Sequence, residues 1–174
     1  MGKQKQGQAI VELAIVTPVI ILLLFGAFNV GAMISDKIAA ASACRAGARL
    51  AAGIGGAQRA DAQTGTAAVD SAIVHNVLAA TAAMSYASVT RIIIYEPTRA
   101  DGAYQVGDLA DIYDSNGAAM GAQGYPLMAR DQTPPNQTPI GCEVDFTYSP
   151  PMGANMASVN MNEYTVMQMT PVES

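Results

Sequence analysis

The sequence predicts an α+β fold in which a long N-terminal hydrophobic α-helix is followed by a small globular domain with a second helix and an antiparallel β-sheet. The first observation is an apolar run from Leu13 to Ser35 without a charged residue. As a helix this run would be about 35 Å long, enough to cross a bilayer core of roughly 30 Å. The second observation is helical apolar spacing in residues 66–86, and the third is the β-branched or alternating character of 88–97 and 142–149.

The first helix is expected to begin at Gln8 and to continue through the apolar run to Ala52, a length of about 68 Å. Glycines at 53, 55 and 56 are typical of a helix end. Pro18 lacks an amide proton, so we expect a kink or a locally melted turn there. The many small residues of 27–52 favour close packing against other subunits in a polymer, with a solvent-facing alanine helix as the alternative.

The second helix is expected over residues 66–86, after a loop at 57–65. Its apolar stripe is expected to face the core and consists of Val69, Ile73, Val77 and Met84. The single histidine, His75, lies just off this stripe and is read as a surface or satisfied core residue.

Three strands are expected to form the sheet, at 88–97, 142–149 and 164–172. Between the first two, residues 98–141 are rich in Gly, Asp, Asn, Pro and Gln, which predicts long loops with at most one short strand or helix. The aspartates of 108–116 do not fit the calcium-loop pattern, since Ile112 occupies its first ligand position, and a turn is expected instead.

Composition argues against several classes of function. The formal charge of −5 leaves no basic stripe for nucleic acid. Two cysteines and one histidine are too few for a zinc framework, so neither a metal nor another cofactor is expected. No nucleophile motif surrounds His75, and the chain is predicted not to be an enzyme.

The N-terminus carries a pattern that explains why an acid precedes the apolar run. A basic leader ends at Gly7, and Glu12 is the fifth residue after it. This arrangement resembles the substrates of prepilin peptidases, which carry a class III signal peptide and retain the apolar helix after cleavage. The resemblance implies a leader at 1–7, a mature chain beginning at Gln8, a transmembrane and assembly helix at 8–54, and an extracytoplasmic α+β domain at 55–174.

The stretch "GQAIVELAIVTPVIILLLFGAFNVG" resembles the TadE-like family of pilin-like proteins from tight-adherence (Tad) secretion and pilus systems. The features that match are listed along the chain as Gly7, Glu12, Pro18, the segment "IILLLFG" ending at Gly26, and Gly31. The resemblance covers roughly residues 7–52, and Leu13 departs from it, since members often place an aromatic residue after the glutamate.

What the resemblance implies is a structural subunit of a Tad or type IV-like filament that serves adhesion and surface attachment. Its partners would be prepilin peptidase, membrane lipid before assembly, an inner-membrane assembly platform, and either copies of itself or other pilins. The protein would reside in the inner membrane first and then in an extracellular filament. The alternative is a single-pass, membrane-anchored extracytoplasmic binding protein that does not polymerise.

Glu12 has a physical reason to be in such a helix. A carboxylate near hydrocarbon is costly unless it is paired. Cleavage after Gly7 would create a positive amine at Gln8, and Glu12 of one subunit could neutralise that amine on its neighbour. An ordinary interfacial acid in the first turn of a transmembrane helix is the alternative.

Two further modifications are expected from single residues. Cys44 and Cys142 could form a disulfide in an oxidising compartment, or remain two buried thiols. Asn136 begins the sequon Asn-Gln-Thr on an expected surface loop, which makes it a candidate glycosylation site.

Overall fold

The computed structural model describes residues 2–56, 65–122, 124–152 and 157–171. It contains two helices, one 3-10 turn at Leu127–Ala129 and a single four-stranded antiparallel sheet, which confirms the predicted α+β fold. The helices are α1 (Gly2–Ile54) and α2 (Gly65–Thr81), and the strands are β1 (Ala87–Tyr95), β2 (Ala110–Asp114), β3 (Pro139–Tyr148) and β4 (Val159–Gln168). Residues 57–64 of the expected loop lie outside the described residues.

Helix α1 is continuous from Gly2 to Ile54, so the melted turn offered as one outcome at Pro18 is absent. The proline removes one backbone hydrogen bond, and the turns on either side hold the helix together. Beside it, the Thr17 hydroxyl donates to the carbonyl of Leu13 at 2.7 Å. The helix ends where glycines were expected to end it, with the amide of Gly55 donating to the carbonyl of Ala51 at 2.7 Å.

The sheet has the strand order β2-β1-β3-β4 with antiparallel pairing throughout. Strand β2 is the one short strand allowed for within 98–141. Strand β4 begins at Val159, five positions before the expected start, because residues 159–163 pair with β3 although their own sequence is mostly polar. Helix α2 stops at Thr81, short of Tyr86, and the Thr81 hydroxyl donates to the carbonyl of Leu78 at 2.9 Å.

The core lies between one face of the sheet and the two helices. Helix α1 packs against α2, β3 and β4 through its C-terminal half. Its buried small residues are Ala40, Ala43, Ala48, Ala51 and Ala52, and they face strand residues such as Ile92, Ile94, Val144 and Phe146 in one apolar cluster.

This packing corrects the expectation for the alanine-rich segment. Its buried small residues face neither solvent nor another subunit. They pack within the chain, where they bring α1 close to the sheet and to α2. Gly47 is the tightest point: a Cβ there would collide with Cγ2 of Val77 and would lie 2.9 Å from Sγ of Cys142. In α2, the predicted apolar stripe residues Val69, Ile73 and Val77 are buried as expected. His75 is exposed.

Candidate membrane-anchoring and assembly surface

The N-terminal part of α1 projects from the domain with its apolar side chains exposed. From Ile10 to Phe28 the large apolar residues are between 43 and 70% exposed. The helix carries a window with a mean hydropathy of 2.6, none of which is buried within the chain. The exposed segment is about 28 Å long at 1.5 Å per residue, close to the roughly 30 Å of a bilayer core. Its length and composition are those of a membrane span.

The first contact between the domain and α1 after the exposed segment is at Asn29, which is buried. The Tyr148 hydroxyl donates to the Asn29 carbonyl at 2.8 Å, and the Asn29 side-chain amide donates to the Met152 carbonyl at 3.0 Å. A polar residue inside an apolar run is therefore explained by the end of β3 and the loop that follows it.

Asp36, the first charged residue after Glu12, forms a second contact between α1 and the domain. Its carboxylate is almost completely buried and accepts hydrogen bonds from the backbone amides of Ser85 and Tyr86 at 2.8 and 2.9 Å. These bonds fix the turn between α2 and β1 against α1. Next to it, Lys37 forms a 3.1 Å ion pair with Glu163 of β4. The lysine side chain is more than half exposed, so solvent screens the pair and its energetic value is small. Sequence reasoning missed the role of Asp36, although an isolated acid seven residues after Asn29 lies two turns along the same helix face.

The residues of the expected cleavage site all lie on the exposed part of α1. Gly7 and Glu12 are exposed, while the side chain of Gln8 lies outside the described residues. Gly7, Glu12 and Ile15 line one shallow groove along the helix. Among the described residues Glu12 has no ion-pair partner, and the amine expected to pair with it exists only after cleavage. Processing after Gly7 and the role of Glu12 stay predictions.

The remaining helix residues singled out by the resemblance have no packing role within the chain. A Cβ added at Gly26 or at Gly31 would meet no other atom within 4 Å, in contrast with Gly47. Nothing inside the described structure therefore requires glycine at either position. A partner helix that approaches this face would provide such a requirement, so their role in assembly, like that of Pro18, stays a prediction.

The two cysteines are brought together in the core. Cys44 on α1 and Cys142 on β3 are both free thiols and completely buried. The neighbouring Cys44 thiol, followed by burial, raises the pKa of Cys142. Cys44 also donates to the carbonyl of Glu163 at 3.0 Å. Because the two thiols are neighbours, oxidation during folding could join them in a disulfide between α1 and the sheet. The disulfide stays a prediction.

The candidate glycosylation site is accessible. Asn136 is exposed in the loop before β3, directly after the cis peptide bond between Pro134 and Pro135. Modification of Asn136 also stays a prediction.

A buried ionic cluster, missed by sequence reasoning, lies where α2 meets β2. The Arg130 guanidinium binds Asp70 through two hydrogen bonds of 2.5 and 2.9 Å and Asp111 through one of 2.8 Å. It also lies 4.5 Å from the ring centre of Tyr125, and the Tyr113 hydroxyl donates to Asp70 at 3.0 Å. All three charged side chains are completely buried. A substrate could not reach them, so the cluster is structural.

The aspartates of 108–116 do not form one site, since Asp111 and Asp114 make different interactions. Asp111 belongs to the buried ionic cluster, whereas Asp114 accepts hydrogen bonds from the amides of Asn116 and Ala118, both at 2.8 Å, and closes a turn. The turn expected in this segment is confirmed. Within the described ranges, no group of three or more His, Cys, Asp or Glu side chains could hold a metal ion.

A polar groove of about 620 Å³ crosses the face of the sheet that the helices leave uncovered. Arg91 forms an ion pair with Asp145 inside it. Burial raises the pKa of the adjacent Glu143, and a hydrogen bond from Asn162 opposes that rise. The groove is lined by Thr90, Arg91, Glu143, Asp145, Asn160 and Asn162.

Comparison with known proteins finds a family similarity that is confined to the N-terminal helix. The family model described as TadE-like protein matches residues 7–49. The match contains Gly7, Glu12, Pro18, Gly26 and Gly31, and it confirms the resemblance seen in the sequence. Searches of curated proteins and of solved structures gave no match. The family match and the exposed apolar helix together indicate a Tad pilus-related, membrane-anchored protein.

Proposed function

We propose that this protein is a pilin-like structural subunit that is anchored in the inner membrane by residues 10–28, cut after Gly7 by a prepilin peptidase, and assembled through α1 into an extracellular Tad or type IV-like filament. In the filament the α+β domain covers the outside and serves adhesion and surface attachment. The protein acts mechanically, by holding subunits together.

One observation carries the proposal: an apolar helix of membrane length projects from the folded domain, begins just after Gly7 and carries Glu12 in its first turns, within the segment that matches the family. Such a helix is stable in lipid or in the centre of a helical bundle, where its side chains are shielded from water. The proposed pairing between subunits gives Glu12 a role that an anchor alone does not require.

The mature protein's intact mass tests the processing step. Loss of residues 1–7, with Gln8 as the new N-terminus, is the expected result in cells that contain a prepilin peptidase. An intact leader on protein recovered from assembled filaments would contradict the proposal.

The substitution Glu12→Gln tests the assembly step, because it removes the charge and keeps the shape. Membrane insertion should be unchanged. The yield of filaments should fall at least roughly tenfold, since breaking one side of a desolvated ion pair costs about 3–5 kcal/mol. Asp101→Asn, a surface change in the domain, is the matched control. Normal filaments from Glu12→Gln would exclude the proposed register between subunits.

The second candidate function is a membrane-anchored extracytoplasmic binding protein that does not polymerise. The polar groove on the uncovered face of the sheet favours it, because its ion pair and amide side chains could bind a small polar ligand. Cells that process the chain and never export it as fibres would favour this second function.

A further inference from the structure

An apolar groove lies at the end of the domain from which the exposed helix emerges. We call it the base groove. It has a volume of about 330 Å³ and is lined by Asn29 together with Val30, Met33, Tyr148, Pro150, Ala157 and Val159. Val30 and Val159 are 52 and 45% exposed. Exposed apolar side chains that lie together in one groove indicate an interaction site for an apolar partner.

The length of the span determines what the base groove faces. Residues 10–28 fill a bilayer core, so the surface of that core lies near Asn29. Met33 lies about 6 Å further along the helix, within the headgroup layer of roughly 5–8 Å. The base groove therefore lies at the depth where headgroups and the upper acyl chains meet.

A second groove on the other side of α1 has the same character. It is lined by Phe28, Gly31, Ala32, Ser35, Asp36 and Tyr86, with a volume of about 280 Å³. The carboxylate of Asp36 is occupied by backbone amides, and Tyr86 is 38% exposed. Tyrosine is enriched at membrane–water interfaces, where its ring meets apolar chains and its hydroxyl meets water. Apolar contact thus continues from the span onto both sides of the domain's end.

We propose that the end of the domain around the base groove is itself a lipid-binding surface, which docks onto the outer leaflet and receives acyl chains before assembly. This inference rests on the proposed membrane-anchored stage and goes beyond it, since an anchored domain could equally stand clear of the lipid. None of the described side chains that line the base groove is charged, so docking depends on apolar burial and is insensitive to salt.

The chain contains no tryptophan, so single tryptophan reporters can test this directly. Full-length protein is placed at one copy per nanodisc in phosphatidylcholine with bromine at carbons 6 and 7 of one acyl chain, which quenches nearby indole rings. Val159→Trp and Ala157→Trp report on the base groove. Leu22→Trp reports on the span, and Val106→Trp, at a 95% exposed position beyond β1, is the control outside the membrane.

Both base-groove reporters and Leu22→Trp should lose fluorescence in brominated lipid at low and at high salt, while Val106→Trp should not. Quenching of Leu22→Trp without quenching of either base-groove reporter overturns lipid docking and leaves the anchor intact. Absence of quenching at Leu22→Trp would instead contradict the membrane-anchored stage itself. If the indole rings of the base-groove reporters are shielded from water only when two or more copies share a disc, the occupant of the groove is a second copy and the proposal is wrong. Thermal unfolding of each variant verifies that the fold is retained.

Discussion

Asp111 is completely buried, whereas most aspartates lie at the protein surface. It shares the single guanidinium of Arg130 with Asp70, and all three side chains are completely buried. Two acids on one base leave an excess negative charge in a medium that solvates charge poorly. Burial, reinforced by the neighbouring Asp70, raises the pKa of Asp111 from 3.8 to about 6.

A raised pKa of an acid makes the native state bind protons more tightly than the unfolded state does. The contribution of Asp111 to the free energy of unfolding should therefore be largest below pH 4, fall as the pH rises towards about 6, and stay level above that value. A shift of this size corresponds to up to about 3 kcal/mol for this one group. Chemical denaturation of the full chain in detergent between pH 4 and 7 measures the effect.

The variant Asp111→Asn separates this group from the other acids, including Glu143, whose pKa burial also raises. The difference between the wild-type and Asp111→Asn stability curves should slope between pH 4 and 6 and be flat above. A difference that does not change with pH would show that Asp111 titrates as in the unfolded chain.

At the scale of the helix, glycines in α1 serve two different surfaces. Gly47→Ala should lower the free energy of unfolding by about 1–3 kcal/mol, because its methyl group would collide with Val77 and press on Cys142. Gly31→Ala meets open space and should leave the domain as stable or raise its stability by up to about 1 kcal/mol through helix propensity. Thermal unfolding of the two variants compares them directly.

Filament yield provides the second half of this comparison. Gly31→Ala should reduce assembly if a partner helix approaches that face, although the domain itself is unaffected. Equal filament yields for wild type and Gly31→Ala would contradict a role of Gly31 at a subunit contact.

Elements with a strong local pattern were predictable, and those fixed by tertiary pairing were not. The apolar run of α1 and the β-branched segment of β1 each carry their structure in adjacent residues. Residues 159–163 do not, because they form an edge strand through their pairing with β3. Asp36 and Arg130 were missed for a related reason. Asp36 binds Ser85, 49 residues away, and Arg130 binds Asp111 and Asp70, 19 and 60 residues away, so no local pattern indicates these partners.

The candidate surface divides in the same way. Gly7, Glu12 and the apolar run could be singled out from the sequence, since a processing pattern and a membrane-length helix are local patterns, and processing itself stays a prediction. The point where the span ends could not, because Asn29 is distinguished only by its bonds to Tyr148 and Met152.

For the whole molecule, α1 is one helix with two environments. Its part before Asn29 contributes nothing to the core, whereas its part from Asn29 onward provides one layer of the domain. The domain therefore extends into the helix, and a division at residue 54 would separate residues that fold together. Membrane insertion and folding can then be tested separately.

A variant lacking residues 1–28 should fold as a water-soluble domain with a melting temperature close to that of the full chain, because the large apolar side chains from Ile10 to Phe28 are 43 to 70% exposed and none of them belongs to the core cluster. A variant lacking residues 1–46 should not fold. It loses the two charge-assisted hydrogen bonds of Asp36, worth about 1.5–3 kcal/mol each, and the contacts of Ala40, Ala43 and Cys44. These losses are comparable to the 5–15 kcal/mol by which a domain of this kind is stable. Circular dichroism and size-exclusion chromatography distinguish the two variants. An unfolded or aggregated 29–174 fragment would mean that the span supports the domain after all, and a folded 47–174 fragment would mean that α1 is dispensable to the core.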